Sequence, residues 1–112
     1  MQRGDIWWAD LPAPVTSEPG FRRPVLIVQA NAFNRSRIRT AIAIILTSNL
    51  RLAQAPGNLL VPAKDSGLPK DSVANVSKIV TADRSFLTER VSRLSDRLMQ
   101  RVDDGLRLVL SL

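Results

Sequence analysis

Arg22 and Arg23 stand side by side ahead of Pro24, at the mouth of the apolar run Val25 to Val28. Two adjacent guanidiniums on a rigid strand suit a phosphate, because each planar fork can donate paired hydrogen bonds to its oxygens. A plainer reading is also open, in which both are solvated gatekeepers flanking an aggregation-prone strand. Three further residues could join them. Glu18 lies in the loop just before, and Thr47 and Ser48 end the next long apolar run, Thr40 to Leu46. The chain has no histidine and no cysteine. Disulfides, thiolate catalysis and ordinary zinc sites are excluded, as is the commonest general acid/base. Proton transfer must therefore use Arg, Lys, Asp, Glu, Thr or Ser.

The charge is concentrated where these candidates lie. The formal net charge is +6, and six arginines (22, 23, 35, 37, 39 and 51) face one acid, Glu18, between residues 18 and 51. Such a field suggests a polyanionic partner, nucleic acid before membrane. No window approaches the roughly 18 apolar residues of a membrane span, and Met1 to Asp5 holds no apolar leader, so a cytoplasmic protein is expected. With 112 residues, 45% of them hydrophobic and 23% charged, residues 1–112 are expected to form a single folded domain.

The elements that must position the candidates are mostly strands. Ile6, Trp7 and Trp8 open the chain, and alternation sends Trp7 to one face and Trp8 with Ile6 to the other. One indole is then core, while the other could be core as well, cover a subunit contact or stack on a base. Pro12, Pro14 and Pro19 keep the next loop out of regular structure. Strands follow over Pro24–Gln29 and Thr40–Leu46, with a short helical turn at 31–35 for which Asn31 is a candidate cap. A short strand covers Asn58–Val61, then a polar excursion Ala63–Asp71. Ser72–Val76 and Ser77–Thr81 are two strand pieces or one bent strand, followed by a turn at 83–87. From Asp96, the apolar positions Leu98, Met99, Val102, Leu106, Val109 and Leu110 fit a helix, capped by Ser95. The pattern predicts an antiparallel, strongly bent sheet with one C-terminal helix, an α+β or small-barrel domain.

Glycine-rich phosphate loops, Gly-x-Ser-x-Gly and His-Glu-x-x-His are absent, as are the usual nucleic-acid-binding signatures. Asp103 and Asp104 invite a metal reading, but no further ligands accompany them, and a solvated helix face accounts for them better.

Arg3-Gly4-Asp5-Ile6-Trp7, Ala9-Asp10-Leu11, and Ser17-Glu18-x-Gly20-x-x-Arg23-Pro24-Val25-Leu26-Ile27-Val28 together resemble the MazF/PemK-type toxins of bacterial toxin–antitoxin systems. The likeness continues through Ile45-Leu46-Thr47-Ser48, Asp71-Ser72, Thr81-x-Asp83 and the Leu94…Val102…Leu106 helix. It implies an SH3-like barrel with a C-terminal helix, of the CcdB/MazF type, acting as a cytoplasmic homodimer. It further implies metal-independent, cofactor-free, sequence-specific cleavage of single-stranded RNA (messenger, ribosomal and transfer RNA all remaining open), and neutralisation by a MazE-like antitoxin.

By the same resemblance Arg23 and Thr47 are the catalytic positions, with Glu18 the loop acid near the RNA. Arg22, Ser17, Gly20, Ser48, Asn75, Ser77 and Lys78 complete the expected RNA-binding set. Some relatives carry an arginine and a carboxylate where this chain has Asn75 and Ser77, which leaves Glu18 or solvent as proton acceptor. RNA supplies its own nucleophile, the 2′-hydroxyl. Arg23 would stabilise the phosphorane and aid the leaving 5′-oxygen while Thr47 holds a phosphate oxygen, giving a 2′,3′-cyclic phosphate and a 5′-hydroxyl. Two other readings stay open: a non-catalytic, CcdB-like toxin that binds a protein target, and a plain RNA-binding barrel.

Overall fold

A computed structural model describes residues 1–12 and 22–112. Six strands form one antiparallel sheet: β1 Asp5–Asp10, β2 Arg22–Ile27, β3 Thr40–Thr47, β4 Leu59–Val61, β5 Ser72–Asp83 and β6 Leu87–Arg93. Their order across the sheet is β4-β5-β3-β2-β1-β6. Helix α1 is the single turn Asn31–Asn34, α2 is Ala63–Ser66, and α3 is the long C-terminal helix Asp96–Leu110. The expected small antiparallel barrel with a C-terminal helix is therefore present as a curled sheet plus α3.

The curl has an identifiable source. Ile44 pairs with Ile79, yet the next residue, Ile45, pairs with Asn75, so Val76, Ser77 and Lys78 have no opposite residue on β3. Extra residues on one strand bend it and increase its twist. The two pieces read from sequence are thus one strand of 12 residues with a bulge inside it. Its first part also pairs with β4.

Alternation divides the apolar residues between two cores. Ile6, Leu26, Ile44, Leu46, Ala74 and Val76 face α3, packing on Leu98, Met99 and Val102. Ala9, Val25, Ile27, Ala41, Ala43 and Ile45 fill the other face with Trp7, Val80 and Leu87. Trp8 joins the first core and Trp7 the second, as alternation predicts. Helix α3 begins where expected, and the Ser95 hydroxyl accepts from the Leu98 N–H. The helix presses so closely on the loop before β4 that a Cβ on Gly105 would lie 2.2 Å from the Gly57 carbonyl oxygen.

The Arg3-Gly4-Asp5 segment works as a structural clasp. Arg3 donates from Nε to the Val28 carbonyl at 2.9 Å and from Nη2 to the Asp103 carboxylate at 2.6 Å, tying the start of β1 to α3. Gly4 holds φ +92°, a conformation a side chain would strain. Asp5 is buried and accepts from the Gln2 N–H, Arg90 and Arg93. Asn31 does not cap α1, whose cap position is Ala30; its side chain instead accepts from the Arg3 N–H at 2.7 Å. No helix is long and apolar enough to cross a membrane among the described residues.

Candidate active site

The candidates gather at one end of the sheet, where β2 begins and β3 ends. In the β2–β3 register Val25 stands opposite Ile45 and Leu26 opposite Ile44. Continued two residues toward the strand mouth, that register sets Arg23 opposite Thr47. The strand β5 residue facing Thr47 is Val73, and Asn75 faces Ile45. Arg23, Thr47 and Asn75 therefore belong to one face of the sheet, that of the second core. Each is held firmly. Arg23 is half-buried, and Thr47 and Asn75 are 3% and 5% exposed. Thr47 Oγ1 accepts from the Asn49 N–H at 3.1 Å. Asn75 Oδ1 accepts from Ser77 Oγ at 2.9 Å and from Asn58 Nδ2 at 3.4 Å. The backbone bulge carries Ser77 and Lys78, both exposed.

Alternation sends their neighbours Arg22 and Ser48 to the other face. Arg22 is exposed, lies 4.3 Å over the centre of the Trp8 ring and pairs with Glu89 at 3.2 Å. The cation–π contact and the ion pair together hold its guanidinium over the indole. A cavity of about 250 Å³ opens here, lined by Trp8, Arg22, Pro24, Leu46, Ser48, Leu68, Lys70 and Ser72 among others, and Arg23 reaches its rim. Sequence signals did not single out Leu68 or Lys70, and for Trp8 they left core packing, a subunit contact and base stacking open; all three line this cavity. One signal was available for Lys70: it precedes the mouth of β5 as Arg22 precedes Pro24 on β2.

Ser17, Glu18 and Gly20 lie outside the described residues. So the arrangement brings together Arg23, Thr47, Asn75 and Ser77 on one face and Arg22 and Ser48 on the other.

The acids that could have suggested a metal are occupied by arginines. Asp103 holds Arg3, and Asp104 accepts from Arg107 at 3.1 Å. Among the described residues no three His, Cys, Asp or Glu side chains converge as metal ligands would. Two carboxyls sit below their ordinary range. Burial pushes Asp5 up, but the hydrogen bonds from the Gln2 N–H, Arg93 and Arg90 outweigh it. Asp83 is lowered chiefly by the Ser85 N–H. Both lie away from the Arg23–Thr47 pair and serve the fold: Asp83 pairs with Thr40, at the opposite end of β3.

What such an end can do chemically is stabilise charge. It offers a half-buried guanidinium and a buried hydroxyl on one face of the sheet end, with the Asn75 amide as a further donor, and so suits a phosphodiester whose negative charge grows during reaction.

The family model for PemK-like, MazF-like toxins of type II toxin–antitoxin systems matches residues 2–110. The chain is 49% identical over 112 residues to endoribonuclease MazF6 of Mycobacterium tuberculosis, covering 100% of this chain and 98% of that protein. It is 38% identical to endoribonuclease EndoA of Bacillus subtilis, covering 100% and 96%. Among solved structures, MazF of Deinococcus radiodurans superposes with TM-score 0.78 at 22% identity, covering 100% and 97%. An endoribonuclease from a mycobacterial species in complex with its cognate antitoxin gives 0.77 at 24%, covering 100% and 94%. The fold, the ordered motif from Arg3 to Leu106 and the match along nearly the whole length agree, and the chain belongs to the PemK-like, MazF-like toxins of type II toxin–antitoxin systems.

Proposed function

We propose that this toxin cuts single-stranded RNA in a sequence-specific, metal-independent reaction at a phosphodiester held between Arg23 and Thr47. Endoribonuclease activity itself is the activity of its full-length relatives, and the chain is an endoribonuclease toxin. The observation that supports the site assignment is the β2–β3 register, which, continued two residues past Val25 and Ile45, puts Arg23 and the buried Thr47 on one face at the same end of the sheet.

The 2′-oxygen attacks phosphorus, the O2′–P bond forms and the P–O5′ bond breaks. A 2′,3′-cyclic phosphate and a 5′-hydroxyl result. The proton of the 2′-hydroxyl passes to Glu18 or to solvent, and the leaving 5′-oxygen takes one from solvent, so no proton is gained or lost overall. Arg23 is a fixed positive charge at the strand mouth. It therefore acts mainly by stabilising the dianionic phosphorane. Thr47 Oγ1 accepts from the Asn49 N–H, and a hydroxyl is also a donor, so in the complex Thr47 holds a phosphate oxygen. DNA lacks the attacking group and is not cut.

The partner is a MazE-like antitoxin whose acidic segment competes with RNA for the same basic end. A cognate antitoxin accompanies the mycobacterial endoribonuclease of the same fold. The working form is a homodimer. An apolar surface supports this: Val28, Ile42, Ile79, Leu106, Leu110 and Leu112 line an open hollow of about 550 Å³ between the sheet and the end of α3. Leu112 is 85% exposed and Leu110 50%. Apolar patches of this extent mark interfaces more often than bare surface.

The test is to incubate the purified protein with a mixed RNA pool in EDTA and map the new 5′ ends. Cuts at one recurrent sequence, each abolished by a single 2′-deoxy substitution at the cleaved step, are expected. Cleavage that survives that substitution would overturn the mechanism.

A further inference from the structure

The fold divides the arginines of residues 18–51 between two ends of the sheet. Arg22 and Arg23 open β2 and Arg51 follows β3, at the end that holds Thr47. Arg35, Arg37 and Arg39 lie between α1 and β3, at the other end, where Thr40 pairs with Asp83. Thr40 and Thr47 are the first and last of the 8 residues of β3, about 23 Å apart at roughly 3.3 Å per residue. The three far arginines are exposed and form no ion pair among the described residues, whereas Arg3, Arg22, Arg90, Arg93 and Arg107 each hold a carboxylate. Asp83 feels the Arg39 charge, but its carboxylate accepts from the Ser85 N–H.

The segment that carries these three is braced. Ser36 Oγ donates to the Phe33 carbonyl at 2.6 Å and accepts from the Ile38 N–H at 3.2 Å, closing the turn after α1. Arg84, just after β5, donates from Nη2 to the Phe33 and Asn34 carbonyls at 3.1 and 2.8 Å. Its backbone N–H donates to the Arg39 carbonyl at 2.8 Å, so a fourth guanidinium is fixed beside the loop. The apolar residues of the loop, Phe33 and Ile38, line a hollow with Val28 and Ile42, which also line the surface given above to the dimer. None of the three arginines lines either hollow, so covering both leaves them open to a further partner.

Guanidiniums at alternate positions of a braced loop, with no carboxylate to hold, have the chemistry of a phosphate-backbone contact. Outside the hollow the loop presents only charge and the exposed Ser36 hydroxyl, with no apolar anchor, which suits phosphates better than a protein segment. We propose that Arg35, Arg37 and Arg39 form an exosite, a second RNA contact that holds the substrate backbone several nucleotides away from the cut. The inference rests on the RNA-cleaving reading given above and adds to it that the preferred substrate is a long RNA. The distance sets the length: about 23 Å spans roughly seven nucleotides of stacked strand at about 3.4 Å each. The exosite reads no bases; it adds affinity and leaves the choice of sequence to the catalytic end.

The experiment compares two RNAs that share the mapped cleavage sequence. One ends about three nucleotides either side of the cut, too short to span the two ends, and the other carries about 20 more on each flank. The wild type is expected to cut the long RNA with kcat/KM at least tenfold above that on the short one. A variant carrying Arg35→Gln, Arg37→Gln and Arg39→Gln is expected to lose that advantage through KM, with kcat unchanged and the short RNA cut as before. Its slope of log K against log salt on the long RNA should fall by about 2, from three contacts at roughly 0.7 each. A wild type that does not prefer the long RNA, or equal losses on both RNAs, would overturn the exosite. So would weakened antitoxin binding with the preference for long RNA intact, which would assign the loop to the protein partner. If the wild type cuts neither RNA, it is the underlying reading that fails. Should the triple variant melt markedly below the wild type, Arg37→Gln alone replaces it and is expected to lower the long-RNA salt slope by about 0.7.

Discussion

The β2–β3 register, continued two residues past its pair Val25–Ile45, sets Arg23 against Thr47, on a face of the sheet that their chain neighbours Arg22 and Ser48 do not share. The two arginines, adjacent in sequence, are therefore not equivalent. Alternation alone separates them, and the apolar residues behind them fix which goes where: Val25 and Ile27 in one core, Leu26 in the other.

Replacing Arg23 by Ala is expected to lower kcat by about 10²–10³, the usual cost of removing one preorganised charge-stabilising donor. The control is Thr47. Its Oγ1 also satisfies the Asn49 N–H, so Thr47→Val costs both activity and about 1 kcal/mol of stability. Thr47→Ser keeps the oxygen and should retain most cleavage. Single-turnover kinetics with a parallel denaturant titration separates the two effects.

Arg22→Gln should act differently. It removes an RNA phosphate contact, so binding weakens and the slope of log K against log salt falls by about 1, while the chemical step on bound RNA changes little. Filter binding across a salt series reads this directly. A salt slope equal to that of the wild type would place Arg22 outside the RNA contact surface.

Gly105→Ala tests the seat of α3. Alanine favours a helix over glycine by about 1 kcal/mol, which alone would stabilise. Here the new Cβ would sit 2.2 Å from the Gly57 carbonyl oxygen, a backbone atom that cannot swing aside. Overpacking of roughly 1–3 kcal/mol wins, and chemical denaturation should show net destabilisation.

Asp5 sets an acid limit. Its folded pKa lies below the ordinary 3.8, so the unfolded chain takes up this proton first as pH falls. The stabilisation is complete at neutral pH and is lost as pH drops below about 3.8 through the folded value. Asp5→Asn should lower the melting temperature at pH 7 and lose less of it than the wild type on acidification. Thermal melts between pH 7 and pH 3 compare the two.

Ile79→Glu, on the apolar surface beside the end of α3, should convert a dimer to a monomer in sedimentation equilibrium without unfolding it, because Ile79 is 37% exposed. A variant that sediments as the wild type would move the dimer contact elsewhere.

Much of this was legible in the sequence. Continuous apolar, β-branched runs located β2 and β3, alternation sorted the tryptophans of β1, the 3.6-residue period located α3, and Ser95 announced its start, because these signals depend on neighbours within a few residues. The motif residues Arg23 and Thr47 could be named from resemblance. The bulge that bends β5 could not, since nothing in Asn75 to Ile79 states which β3 residue each will face. Nor could the work of Arg3 and Asp5, whose partners Asp103, Arg90 and Arg93 lie more than 80 residues away. The opposition of Arg23 to Thr47, and the slot that Lys70 shares with Arg22, depend on strand register. Register is a property of paired backbones, and only the folded sheet decides it.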